Sequence, residues 1–144
     1  MNKSFRGMLA DGEKDTIRLS TNNGLTGYKI VKFTIISELP GTTSYESVVK
    51  LFTLDPAAVT QNIDFDDGSL LAVAYIENRN QDDHGANEAV RVINDNTIFN
   101  QDIFITHFDA HSSTNCNYYL ELEQIRLDLS EATVATLKDM RGRE

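Results

Sequence analysis

The residues best placed to do chemistry are His107, Asp109 and His111, spaced two apart in the run THFDAHSS (106–113). On an extended strand, residues at i, i+2 and i+4 project from one face. Two imidazoles and a carboxylate so arranged could hold Zn²⁺ or another transition metal. Against this, same-face neighbours on a strand stand about 6.5–7 Å apart. His111 also falls where the SST loop begins, and the only further imidazole, His84, would have to arrive from elsewhere. A polar strand end with ordinarily hydrogen-bonded histidines is the plainer reading.

The acids Asp64, Asp66 and Asp67 before Gly68 suggest a calcium loop, but EF-hand spacing puts the third acid one residue later. Asp82 and Asp83 could join them in an irregular Ca²⁺ site; a solvated acidic loop needs no such convergence. Cys116 is the only cysteine, so no intrachain disulfide can form. Its surroundings, SSTNCNYY, match no nucleophile signature, and a lone cysteine beside a strand is usually a small apolar filler. Tyr118 and Tyr119 could stack a ring ligand, yet alternation sends them to opposite faces. No Walker A loop, GxGxxG or HExxH is present, and GLTG (24–27) reads as a turn. The expectation is a protein with no enzymatic activity and no cofactor.

The elements that position these groups read as strands. Short runs rich in Val, Ile, Phe and Tyr alternate with Gly, Asn and Asp clusters, which predicts strands over 5–10, 16–20, 28–37, 45–54, 70–77, 89–94, 102–110 and 117–129. Eight strands in 144 residues form a single domain spanning 1–144: all-β, a two-sheet antiparallel sandwich, most simply a jelly roll. The last strand, NYYLELEQIRLDL, changes apolar phase from Tyr118, Leu120 and Leu122 to Ile125, Leu127 and Leu129. One extra residue near Glu123-Gln124 would restore the face, so a β-bulge is expected there; a strand that switches sheets would also serve. A short C-terminal helix follows, capped by Ser130, with Glu131 in its first turn and Lys138 and Arg141 near its last. Val134, Leu137 and Met140 form a narrow apolar stripe, of which Val134 and Leu137 are expected to be buried.

Three strands are apolar on both faces. Ile103 and Ile105 oppose Phe104 and Phe108; Val73 and Tyr75 oppose Ala74 and Ile76; Val31 and Phe33 oppose Ile30 and Ile36. A monomeric sandwich exposes one face of each sheet and should be polar there. Burial against another copy, with Tyr75, Ile76, Phe104 and Phe108 at the contact, is the first explanation; a covering loop or the terminal helix is the second.

Charge narrows the partners. Thirteen basic residues against 22 acidic ones leave −9, concentrated over 55–88, where Arg79 faces eight carboxylates. Nucleic acid, bound chiefly through phosphate neutralisation, is excluded as a partner, and anionic membrane is disfavoured likewise. No apolar run approaches the roughly 18 residues of a membrane-spanning helix. The opening MNKSFRGMLADGEK has no apolar signal core, and folding in a reducing cytoplasm fits the single cysteine.

The segments RLSTNNGLTGYKIVKF (18–33), NQDIFITHFDA (100–110), NYYLELEQ (117–124) and EATVATLKDMRG (131–142) resemble a family of small proteins of marine tailed bacteriophages, whose members sit among virion structural genes. The likeness covers both ends of the chain and weakens between about 40 and 90. It implies a virion component made in the host cytoplasm, a capsid-decorating or head–tail protein, with a jelly roll of the tumour-necrosis-factor-like kind that forms trimers and contacts other virion proteins. No site residue transfers with it. The alternative is a jelly-roll module binding a glycan or small ligand, through the loop acids with Ca²⁺ or the His107/Asp109/His111 face with a metal.

Overall fold

The computed structural model describes residues 1–41, 44–78, 88–93 and 97–141. Eight strands run in chain order as β1 (Asn2–Leu9), β2 (Lys14–Ile17), β3 (Thr26–Ser37), β4 (Tyr45–Phe52), β5 (Leu70–Asn78), β6 (Glu88–Ile93), β7 (Ile103–Asp109) and β8 (Cys116–Arg126), followed by helix α1 (Leu129–Arg141). They form two antiparallel sheets, ordered β1-β8-β3 and β2-β7-β4-β5-β6. First strand beside eighth, second beside seventh, and fourth beside both fifth and seventh is the wrapped double Greek key of a jelly roll. One strand departs from the regular pattern: β6 stays hydrogen-bonded to β5 instead of crossing to lie beside β3.

The core lies between the sheets. Ile30, Phe33, Leu120 and Leu122 from one meet Val49, Leu51, Ala72, Ala74, Ile103 and Ile105 from the other, all nearly inaccessible. A second, smaller cluster lies under α1, where Leu127, Ala132 and Ala135 pack with Leu25, Ile98 and Ile125. Gly27 makes that approach possible, since a Cβ there would stand 3.0 Å from both Ile98 and Leu127.

This second cluster explains the phase change along β8. Ile125 and Leu127 do not return to the inter-sheet core; they serve α1. The expected bulge at Glu123-Gln124 is therefore absent. β8 pairs regularly, and the extra residue is Val31 on its neighbour β3, between Ile30 opposite Leu122 and Lys32 opposite Glu121.

The helix also departs from expectation. Its N-cap is Asp128, not Ser130: Asp128 Oδ1 accepts from the Glu131 N–H (2.8 Å), and Glu131 Oε1 accepts from the Asp128 N–H (3.1 Å), a reciprocal capping box. Val134 and Leu137 are not buried but 65% and 48% exposed. The helix docks instead through Ala132, Ala135 and Asp139, whose small volume lets its backbone lie close to the sheet. Met140 has its side chain outside the described set.

Candidate functional site

Two regions could carry function: the polar end of the sandwich around His107, and the outer face of the five-stranded sheet.

At the polar end the β1–β2 turn clips onto β7. The Gly12 N–H donates to the His107 carbonyl (2.8 Å), and the His107 N–H donates to the Glu13 carbonyl (3.0 Å). His107 is wholly buried on the core side of β7. Its Nδ1 lies 3.0 Å from the Ala10 carbonyl and its Nε2 3.2 Å from Ser47 Oγ. A carbonyl only accepts, so Nδ1 donates to Ala10, while Nε2 shares a hydrogen bond with the Ser47 hydroxyl. Both ring nitrogens are thereby used inside the protein.

Asp109, also buried, is turned into the loop after β7. It accepts from the backbone N–H groups of Glu46 (3.1 Å), His111 (2.9 Å), Ser112 (3.2 Å) and Thr114 (2.8 Å). Burial acts to raise its pKa, but these four donors outweigh it and hold the carboxyl below the ordinary carboxylate value. His111 is exposed beyond the strand end. The three residues singled out for metal binding therefore share a stretch of chain but not a site. Among the described residues, no cluster of three His, Cys, Asp or Glu side chains is placed to hold a metal ion.

The structure does bring Cys116 to this end, and sequence spacing could not have shown it, because Cys116 comes from the other sheet. The thiol is fully buried, and burial is the main cause that pushes its pKa up to about 12. A protonated, inaccessible sulfur whose neighbours are the Ile36 and Asn117 carbonyls and Ser47 is packing, not a nucleophile.

The loop acids are spent on local turns. Asp64 Oδ1 accepts from the Asp66 N–H (2.9 Å), and Asp67 Oδ1 accepts from the Ser69 N–H (2.9 Å) and hydroxyl (2.7 Å). Asp82, Asp83 and His84 lie outside the described residues. Tyr118 and Tyr119 separate as alternation requires, Tyr118 into the core and Tyr119 outward, with its hydroxyl donating to Glu121 (3.1 Å).

The outer face of the five-stranded sheet is the larger feature. Part of it is covered from within the chain by the β4–β5 connection, residues 53–69. Lys50, 5% exposed, donates through Nζ to the Asn62 carbonyl (2.6 Å) beneath this loop. Burial lowers its pKa, while the nearby Asp67 charge opposes that shift. Lys50, Phe52, Thr60, Asn62 and Leu70 enclose a cleft of about 170 Å³. A covering loop is thus real, and it accounts for buried Phe52 and Lys50.

The loop does not account for the rest. Phe108, Val48, Tyr75 and Val90 are direct cross-strand partners, so they form one apolar row across β7, β4, β5 and β6. Val48 is buried, Phe108 and Tyr75 are half-buried, and Val90 is 52% exposed. The Tyr75 hydroxyl lies 2.8 Å from Glu46 and 2.5 Å from Glu77; burial first, then these carboxylates, raise its pKa strongly. Phe104 lies on the same face, opposite Phe52 and Thr16. Ile76 does not. It points to the other side of β5 and packs against the inter-sheet core, so it leaves the expected contact set.

No protein-family model and no curated protein matches the chain.

Proposed function

We propose that this protein is a non-enzymatic structural component of a phage virion that works by self-association, as a capsid-decorating or head–tail protein. The observation that carries the self-association is the row Phe108–Val48–Tyr75–Val90, joined by Phe104 on the same face and left partly open by the covering loop. A contiguous apolar row on an otherwise solvent-facing sheet is a surface for another chain. The virion setting comes from the resemblance of the four sequence segments to marine phage structural proteins. A tumour-necrosis-factor-like trimer is the stoichiometry that resemblance favours. The non-enzymatic reading is supported by Ser47, His107 and Cys116, the groups closest to a catalytic set, all being sealed in the core.

Light scattering tests the proposal. The expected particle mass is a multiple of 16.1 kDa, reduced to one chain by Phe104→Ser with Phe108→Ser. A wild-type chain that stays at a single-chain mass at high concentration overturns the self-association. Genes for major capsid and portal proteins beside this one are expected; a metabolic neighbourhood would count against the virion setting.

A further inference from the structure

We infer that the outer face of the three-stranded sheet binds an acidic pyranose, a sugar ring bearing one carboxylate, in the cleft beside Tyr119. The inference stands apart from the self-association proposed above, which uses the other sheet.

The cleft is built from two cross-strand rows. Arg6 and Thr34 flank Tyr119, and Met8 and Ile36 flank Asn117, so these side chains of β1, β8 and β3 share one outward face. They line a space of about 480 Å³, within the range of small-ligand sites. Asn117 is half-buried between Met8 and Ile36, which are 47% and 59% exposed, so its short amide lies low between two longer apolar walls. Residues on paired strands keep their spacing without a ligand, which limits the ordering cost of binding.

The charges point to the occupant. The chain carries 22 acidic residues against 13 basic ones, yet this face leaves cations unpaired. Among the described residues the ion pairs are Lys14–Asp55 and Arg18–Asp102. Glu121, opposite Lys32 in the ladder, is turned instead to the Tyr119 hydroxyl (3.1 Å) and the Asn2 side-chain amide (2.9 Å). Arg6 is thus left without an ion pair, and Lys32 Nζ stands 5.8 Å from the Tyr119 ring centroid. A guanidinium and an ammonium, from the two strands flanking one aromatic ring, suit an anion. The net charge of −9 repels each added negative charge, so a monoanion is favoured over a phosphate ester or a polyanion. The remaining groups suit a sugar. Tyr119 offers an aromatic surface to the apolar C–H face of a pyranose, and the Asn117 amide and Thr34 hydroxyl both donate and accept, as sugar hydroxyls require.

Amide-resolved NMR titration is the test, with methyl glucuronide and methyl glucoside as probes, the same ring with and without the carboxylate. The glucuronide is expected to shift the amides of 6–8, 34–36 and 117–119 with a Kd in the millimolar range, the range open to a ligand of its size. The glucoside should bind about three- to five-fold more weakly, the difference that one exposed ion pair supplies. Arg6→Gln is expected to erase that difference, and Tyr119→Ala to abolish binding of both sugars while Tyr119→Phe retains it. No shift at these amides overturns the site. Equal affinity for the two sugars, or a preference that survives Arg6→Gln, overturns the acidic ligand. Inorganic phosphate that reproduces the glucuronide shifts at equal affinity reduces the cleft to a general anion site and overturns the sugar. Each of these failures leaves the self-association standing, because light scattering reads the other sheet.

Discussion

The backbone N–H of Asn100 donates to Oδ2 of Asp139 across 3.1 Å, fastening the last turn of α1 to the segment that enters β7. The Asn100 side chain completes the clamp. Its Nδ2 lies within reach of the Gly24 carbonyl (3.0 Å), the Ala132 carbonyl (3.2 Å) and Thr136 Oγ1 (2.7 Å). Both residues are buried, so α1 is held by polar groups with little water to replace them.

Asp139 makes this docking sensitive to pH. Burial raises its pKa from 3.8 to about 6, against the opposing pull of the Asn100 and Gln101 N–H groups and Lys138. The folded state therefore favours the protonated form more than the unfolded chain does. That contribution to stability is complete below pH 3.8 and is lost as pH rises through about 6. Asp139→Asn is expected to gain on the order of 1–2 kcal/mol over wild type at pH 7 and much less at pH 5. Urea denaturation of both proteins at the two pH values measures the difference.

Asn100→Ala should cost about 2–4 kcal/mol, because it removes the buried side chain bonded at once to Gly24, Ala132 and Thr136. The loss is expected first in α1, seen as faster amide exchange over 129–139 than in the inter-sheet core.

Asp109 acts with the opposite sign. Its depressed pKa means the stability it supplies is present above the ordinary carboxylate value near 3.8 and is lost as pH falls through the lower folded value. Asp109→Asn keeps one acceptor oxygen but removes the charge serving four N–H donors, and should cost roughly 2–3 kcal/mol at pH 7. Thermal melts of wild type and variant should converge in acid, once the carboxyl has taken up its proton.

Lys50→Met keeps the stem volume over the sheet but removes the donor to the Asn62 carbonyl. The loop over 53–69 is expected to loosen while the sheets stay intact. Limited proteolysis should cut this connection several-fold faster, with a global melting temperature changed by only a few degrees.

Cys116 should stay silent. With the thiol buried and its pKa near 12, a disulfide reagent at pH 8 is expected to label it only after denaturant is added. Stoichiometric labelling of the folded protein would contradict the packing described for this end of the sandwich.

Periodicity carried the strands because strand and core share one local signal: alternate residues of 28–37 or 102–110 must face the same way whatever lies opposite. Eight strands and the helix occur in the expected order, six strands close to their expected bounds, while β1 (Asn2–Leu9) and β2 (Lys14–Ile17) lie earlier in the chain than the expected 5–10 and 16–20. The same local character made the helix and bulge details illegible. Val134 and Leu137 look like a buried stripe, yet Ala132, Ala135 and Asp139 make the contact, since the space under α1 is set by the distant Leu25, Ile98 and Asn100. The phase change in β8 is visible in the chain, but its cause, a second cluster with Leu25 and Ile98, is not.

The sequence by itself determined an all-β sandwich with a terminal helix, a net charge of −9, and the double-sided apolar strands. Only the tertiary structure decided strand order, the bulge at Val31, and the fates of His107, Asp109 and Cys116. It also sorted the doubly apolar strands, sending Ile76 to the core and leaving Tyr75 and Phe108 in a row that ends at Val90. The physical reason is that alternation fixes which side chains share a face, whereas what covers that face depends on segments far away in the chain. The loop over Lys50 and the cleft beside Tyr119 exist only once the sheets have formed.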